Sequence, residues 1–376
     1  MLSGWGFGIW WGLALSTNLA TIVLGLWPRR PIRSVDAVLP LSIMVPIKGA
    51  DPAIAENLQA LFAQDYPQFE IVFALADAND PAIPLIERLM AAHPHVPARL
   101  TTDPIPRSGN PKLDNLQRAW PWVRHELVVM CDVNVRLRPG GLRRFASQLA
   151  PGVGLLTAAP VATEPEGFCG ELETAFFNTG GARWLIAADR FGYGTGVGQL
   201  MVLRRRDLER IGGIDAMAGG VCEDAALAAA IRRAGLAVRI ASEPAWHPVG
   251  RRRFRDLWQR HLRWQCCRKY YALPLFVFEP AVSPSATAVI GGIWWGWFTG
   301  LPVVPLVVGH LAAWLVVEGG YARAQGWHLS WLSPIAWLVR EAMIPALWLR
   351  ATVARSLIWR GQRIDLPPVF ALRRQR

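Results

Sequence analysis

Apolar residues fall along this chain in two kinds of run. Long ones, Trp5–Trp27, Ser285–Thr299, Leu301–Val317 and Trp331–Trp348, lie toward its two ends. Short ones, Leu41–Pro46, Glu70–Ala76, Leu127–Cys131 and Val153–Ala158, lie between them. The short runs read as strands, and Leu127–Cys131, unbroken between charged neighbours, reads as one buried on both faces. Helical stretches separate them at Pro52–Ala63, Pro81–Ala92 and Gly140–Leu149. Such alternation predicts a mostly parallel sheet covered on both sides. Pro139-Gly140 and Gly212-Gly213 punctuate it as turns.

The long runs change the picture from a globular domain to an anchored one. Trp5–Trp27 is long enough to span a bilayer, with Trp5, Trp10, Trp11 and Trp27 placed toward its ends as an aromatic belt. Met1–Gly4 carries no charge, unlike the basic start of a signal peptide. Ser285–Thr299 and Leu301–Val317 read as a hairpin turning near Gly300. Trp331–Trp348 holds Arg340 and Glu341, so it is expected to lie re-entrant or at the interface, with its charges paired. Arg29, Arg30 and Arg33 follow the first run, and the C-terminal residues are Arg-rich. By the positive-inside rule both flanks face the cytosol and the Gly300 turn faces out. Three parts are expected: an anchor at 1–33, a cytosolic α/β domain at 34–271, and a membrane part at 272–376.

Composition agrees with this. Of 376 residues, 52% are hydrophobic and 19 are Trp, both high for a soluble protein. The net charge of +12 comes almost wholly from Arg. It suits an anionic partner: a membrane surface, a nucleic acid or a diphosphate. Lys stands only at 48, 112 and 269. Cys131, Cys169, Cys222, Cys266 and Cys267 show no CxxC spacing and are expected to be reduced thiols.

Polar groups at strand ends supply candidate chemistry, because ligands of open α/β sheets sit where strands deliver their carboxyl ends. Asp132 follows Leu127–Cys131, with Asn134 two residues on. A hard cation bridging phosphates takes one or two such oxygens, although Asp132 could equally cap the next turn. Asp77 ends the second strand, as a nucleotide contact or as a helix cap. Lys48 and Lys112 lie in strand-end loops, as phosphate ligands or as solvated surface groups. Glu223-Asp224 follows Gly219-Gly220-Val221-Cys222 at a helix start. A general base needs such a projecting carboxylate, and helix starts also favour acids for their own sake. Arg260-His261-Leu262-Arg263-Trp264 puts two guanidinia on one helical face beside an indole. They could grip a diphosphate, or belong to the juxtamembrane basic belt of Arg251–Arg255 and Arg268-Lys269.

In this order, Asp77, Asp132, Glu223-Asp224 and Arg260-x-x-Arg263-Trp264 resemble the D, D, D, (Q/R)xxRW signature of inverting, membrane-bound family 2-like glycosyltransferases. The chain is similar to the ceramide glucosyltransferase family, glycosyltransferase family 21. Pro46–Pro52, Asp77–Ala82, Asn110-Pro111-Lys112, Gly167-Phe168 and Trp337–Glu341 look like that family's strings in the same order. The similarity runs from about residue 43 to about residue 366.

The resemblance implies a GT-A, Rossmann-like cytosolic domain with transmembrane helices at both ends, binding a UDP-sugar. It implies that Asp77 contacts the nucleotide and that Asp132, with Asn134, holds Mg2+ or Mn2+ on the diphosphate. Lys48, Lys112 and Glu223 complete the nucleotide-sugar set. It implies Asp224 as general base, with Arg260, Arg263 and Trp264 closing over diphosphate and acceptor. The expected reaction carries a hexose, with UDP-glucose the first choice, to the hydroxyl of ceramide or a ceramide-like membrane lipid, giving a β-glycoside. The chain departs from the family at Asn134, where a second Asp is usual, at Gly181-Ala182-Arg183, and at Tyr193. The last two fall in the acceptor region. The bias to Arg over Lys suggests a GC-rich bacterial genome and an inner-membrane location, so a hopanoid glycosyltransferase using UDP-GlcNAc is an alternative. A processive polysaccharide synthase shares the signature but needs more helices for a channel. A membrane-anchored polyanion binder explains the charge and not the ordered motifs. The expected partners are a UDP-sugar, a lipid acceptor and the bilayer, with no nucleic acid.

Overall fold

The structure is a computed structural model that describes residues 2–28, 39–50, 53–105, 108–218, 222–359 and 362–366. The arginines at 29, 30 and 33, the segment Gly219–Val221, and Arg360, Arg373, Arg374 and Arg376 of the Arg-rich C-terminal stretch lie outside the described residues. In chain order the helices are α1 (Leu2–Leu26), α2 (Ile54–Phe62), α3 (Ile83–Ala92), α4 (Pro111–Ala119), α5 (Gly141–Ala146), α6 (Gly167–Ala175) and α7 (Arg183–Arg190). They continue as α8 (Arg205–Arg210), α9 (Glu223–Arg233), α10 (Phe254–Tyr271), α11 (Leu273–Val282), α12 (Pro284–Thr299), α13 (Val303–Ala324) and α14 (Ser333–Val353). The strands are β1 (Leu41–Ile47), β2 (Phe69–Leu75), β3 (Ala98–Thr101), β4 (Leu127–Cys131), β5 (Val153–Thr157) and β6 (Pro160–Glu166). After them come β7 (Leu200–Arg204), β8 (Ala237–Ile240), β9 (Ala245–Arg251), β10 (Ser356–Trp359) and β11 (Gln362–Asp365).

The chain divides into two compact units. One comprises Arg29–Thr163 and Ala188–Gly250. Its seven-stranded sheet has the order β3-β2-β1-β4-β7-β5-β8. The pairs β1–β2, β1–β4, β2–β3 and β5–β8 are parallel, while β7 runs antiparallel between β4 and β5. Period-two alternation splits the strand side chains into two cores. Ile43, Val45, Ile71, Phe73 and Val129 pack on one face with Phe62 of α2. Met44, Val72, Val128 and Met130 pack on the other with Leu113 of α4 and Leu227 of α9. Both faces of β1, β2 and β4 are therefore dry, as the apolar runs predict. The expected α/β sheet is present, mixed by the reversal of β7.

The other unit comprises Met1–Pro28, Glu164–Ala187 and Arg251–Arg376. Helix α10 belongs to it, whereas the sequence reading grouped that segment with the sheet. Trp5–Leu26 and Val303–Ala324 are long and apolar enough to cross a membrane. Helices α11 and α12 together are a third candidate, bent by 51°. The bend has a local cause: Pro280 lies inside α11 and Pro284 opens α12, where Ser283 Oγ accepts from Ala286 N at 3.2 Å. Gly300, at φ +75°, closes α12 before α13. The predicted hairpin thus exists. Gly291 of α12 leaves no room for a Cβ beside the Trp11 ring of α1, so small residues set how closely these helices approach. Helix α14 does not reach the same apolarity among the described residues. As expected, its charges are paired: Arg340 bonds Glu318 at 2.7 Å and Glu341 at 2.8 Å.

One expectation fails. Cys222 and Cys267 are disulfide-bonded, and only Cys131, Cys169 and Cys266 are free. A disulfide needs no CxxC spacing, so nothing in the sequence pattern marked either cysteine.

Candidate active site

The sheet register fixes what lies at one edge of the first unit. Strands β1, β2 and β4 run the same way, so Lys48, Asp77 and Asp132 all follow their carboxyl ends. Because β7 is antiparallel, its start reaches that edge, pairing Leu200 with Cys131. Asp132 N donates to Gln199 O at 2.9 Å, which continues the ladder one residue further. Gly198 therefore lies beside the end of β4.

Two helix starts complete the cluster. Asn110 caps α4 by accepting from the N–H groups of Lys112 (3.0 Å) and Leu113 (3.2 Å). Its amide donates to Glu223 Oε2 at 2.9 Å, tying α4 to the start of α9. Lys112 Nζ then reaches Asp132 Oδ1 at 2.7 Å, Glu223 Oε1 at 3.2 Å and Gly198 O at 2.7 Å. Asp224 Oδ2 accepts from Gly198 N at 2.8 Å and Oδ1 from Ala225 N at 2.7 Å. A Cβ on Gly198 would stand 2.7 Å from Lys112 Nζ and 3.1 Å from Asp224 Oδ2, so a side chain here would push the ammonium out of the cluster.

Three carboxylates around one ammonium shape the titration. Burial and the charge of Glu223 push the Asp224 carboxyl up to about 6, while Lys112 and the two N–H groups pull it back. Burial works against the Lys112 charge, yet Asp132, Glu223 and Asp224 together hold its pKa above the ordinary lysine value. Asp224 is thus a carboxylate poised near neutrality, as proton transfer to and from a hydroxyl requires.

The other expected residues sit as follows. Asp77 is exposed and accepts from Asn79 N at 2.8 Å, a local turn. Lys48 is half-buried after β1. Asn134 Oδ1 is buried and has no hydrogen-bond partner, a carbonyl oxygen available to a cation. No group of three or more His, Cys, Asp or Glu among the described residues could cage a metal. Asp132 and Asn134 fit a cation that brings most of its ligands with it, as Mg2+ on a diphosphate does, and do not fit an all-protein site.

In the second unit, Arg260 and Trp264 lie on α10. Arg260 is paired with Glu173 of α6, which is fully buried. Trp264 stands edge-on to Phe177 and His261, each with ring centroids 5.1 Å away, and His261 stacks on Phe176 at 4.0 Å. Burial and the charges of Arg260 and Arg268 hold the imidazole well below its usual pKa, so His261 is a neutral packing group. Arg263 is on the same helix, half-buried. Sequence reasoning missed Gly198, Asn110 as the partner of Glu223, and Glu173. For Gly198 a signal existed: Gly192, Gly194, Gly196 and Gly198 alternate along one loop, a spacing that packs backbone closely.

The model of glycosyl transferase family 21 matches residues 9–369. Ceramide glucosyltransferase 1 of Caenorhabditis elegans is 25% identical over 338 residues, 88% of this chain and 72% of the nematode protein. A ceramide glucosyltransferase of Komagataella phaffii is 36% identical over 113 residues, 29% of this chain and 22% of the yeast protein. Among solved structures, the mannosyltransferase PcManGT from Pyrobaculum calidifontis, determined with GDP-Man and Mn2+, gives a TM-score of 0.53 at 18% identity. That likeness covers 92% of this chain and 99% of the mannosyltransferase, and it is one of fold.

Proposed function

The chain belongs to glycosyl transferase family 21 and has a GT-A-type fold with apolar membrane helices, and from this premise we propose that it moves a hexose from a UDP-sugar to the hydroxyl of a membrane lipid. The donor in this reading is UDP-glucose and the acceptor ceramide or a ceramide-like lipid; the names of the relatives, ceramide glucosyltransferases, support this choice. The observation that carries it is the Asp132–Lys112–Glu223–Asp224 cluster at the carboxyl edge of the sheet.

The reaction is a single displacement. Asp224 takes the acceptor's hydroxyl proton as its oxygen attacks C1 of the sugar; the bond from C1 to the diphosphate oxygen breaks, and UDP leaves with that electron pair. Glu223 keeps Asp224 basic through its charge, and Gly198 N holds the carboxylate in one orientation. Asp132 and Asn134 would hold a divalent cation, Mg2+ or Mn2+, whose chemistry is to neutralise charge on the departing diphosphate. Asp77 contacts the nucleotide, with Lys48 beside it. Arg260, Arg263 and Trp264 are assigned to diphosphate and acceptor by the family signature. The product is the β-glycoside of an α-linked donor. The proposed setting is a bacterial inner membrane crossed several times, with the sheet unit in the cytosol.

Mass spectrometry of lipids from cells expressing the chain tests this directly. A monohexosyl lipid absent from control cells supports it, polymer alone points to a synthase, and an unchanged lipid profile with purified UDP-sugar and ceramide also unreacted removes the proposal.

A further inference from the structure

Inside the helical unit one buried guanidinium has fewer acceptors than donors. Arg183 of α7 is 2% exposed, and neither its Nε nor its Nη1 has a hydrogen-bond partner. Its Nη2 makes a long contact to Asn18 Oδ1 at 3.4 Å. The group lies over the rings of Trp184 at 5.3 Å and Trp314 at 5.2 Å. Such rings support a cation and give no acceptor in the plane of the N–H groups. Leaving buried donors unmade is costly, so a ligand with oxygen lone pairs is the natural complement.

Charge narrows the ligand. Next to Arg183 lies the network in which Arg340 is bonded by Glu318 and Glu341, with Trp314 Nε1 donating to Glu318 at 2.9 Å. The two guanidinia and two carboxylates balance. An anion would upset that balance in a dry interior, whereas a neutral carbonyl oxygen leaves it intact. Depth narrows it again. The ends of α1 and α13 meet where Gln325 Nε2 donates to Gly25 O at 2.8 Å. Asn18 precedes Leu26 by eight residues and Glu318 precedes Ala324 by six, which puts both about 9–12 Å inside those ends at the helical rise. At that depth among apolar helices a phosphate would carry the cost of a buried charge, which a neutral, hydrogen-bonded carbonyl does not.

We propose that Arg183 is a lipid-recognition residue whose free N–H groups donate to the amide carbonyl of the acceptor lipid, anchoring its polar head within the helical unit. The inference rests on the lipid glycosyltransferase reading and adds to it the group on the acceptor that is recognised.

The test uses the purified full chain in phospholipid-free detergent with UDP-glucose, a short-chain ceramide, and the same ceramide as its thioamide, whose sulfur is a weak acceptor. The wild type is expected to favour the amide in kcat/KM. Arg183→Gln should raise the ceramide KM at least about tenfold, erase the amide preference, and leave the UDP-glucose KM within twofold. Arg183→Lys, which keeps the charge and loses the fork, should erase most of the preference and stands in if the glutamine variant fails to fold. An amide preference that persists in both variants overturns the inference while leaving the enzyme a lipid glycosyltransferase. If the wild type transfers to neither lipid under any condition, both readings fall. If added phosphatidylcholine activates the wild type and not the variants, with the amide preference intact, the donors serve a structural phospholipid and the inference is overturned.

Discussion

Lys112 Nζ lies 2.7 Å from Asp132 Oδ1, so the carboxylate that ends β4 already faces a resident cation. The same ammonium bonds Glu223 and the Gly198 carbonyl, which uses all three of its donors. Lys112 was expected among the phosphate ligands; in this geometry it neutralises the acid cluster and links α4, β4, α9 and the loop before β7. Reaching a phosphate would require it to release at least one of these partners.

Replacing that ammonium should therefore act on stability and on titration together. Lys112→Met leaves Asp132, Glu223 and Asp224 facing one another, and breaking such a buried set costs about 3 kcal/mol or more. Urea unfolding should show a lower midpoint at unchanged slope. Because the Lys112 charge lowers the Asp224 pKa, its loss should move the acid limb of the kcat/KM profile to higher pH. A limb that stays in place would mean that Lys112 does not act on the base.

Asp224 makes the second test. With its pKa pushed up to about 6, the basic form dominates above that pH, so kcat/KM should fall about tenfold per unit as pH drops below it. Asp224→Asn removes the basicity and one of the two N–H bonds the carboxylate accepts. Turnover should fall roughly 10²–10⁴-fold, with UDP-sugar KM within a few-fold and no acid limb near 6. Near-normal turnover would place the base elsewhere, and an α-linked product would exclude a single displacement.

The sequence carried β4 to its terminal residues, because an apolar run between charges has one buried solution in an α/β sheet. Strands β1, β2 and β5 were legible within a residue or two for the same reason. The reversal of β7 was not: its direction is set by the Gly192–Gly198 loop packing against α9, where a Cβ on Gly196 would strike the Asp224 carbonyl. Asp132 and Asp224 stood out as acids at element ends. Lys112 stood out only as a candidate phosphate ligand; its pairing with Asp132 and Glu223 was not legible, since each pair joins residues distant in sequence. Nor did any change of composition reveal that Glu164–Ala187 leaves the sheet unit to pack with the apolar helices.

Asp132→Ala tests the cation assignment. Asn134 Oδ1, buried and unbonded, is a weak ligand alone, so losing the Asp132 carboxylate should abolish metal-dependent UDP binding. A rate loss of roughly 10²-fold or more should accompany it. Isothermal titration of UDP with and without Mn2+ reads the effect, and an unchanged Mn2+ dependence would remove the metal role from Asp132.

Arg340 is 1% exposed and donates to Glu318, Glu341, Thr179 Oγ1 and the Ala175 carbonyl. It thereby joins α14 to α13 and to the turn after α6. Glu318→Gln keeps a side-chain oxygen for Arg340 and leaves Glu341 as its counter-charge. Arg340→Met instead strands two buried carboxylates, with only Arg183 nearby to balance them, and also frees a backbone carbonyl. An uncompensated buried charge is the costlier defect, typically about 3–5 kcal/mol. Thermal unfolding in detergent should therefore rank wild type above Glu318→Gln and both well above Arg340→Met. Adding Glu318→Leu to Arg340→Met should recover much of the loss, because it removes a stranded charge. If the double variant is no more stable than Arg340→Met alone, the charges are not the source of the cost, and shape alone holds α13 and α14 together.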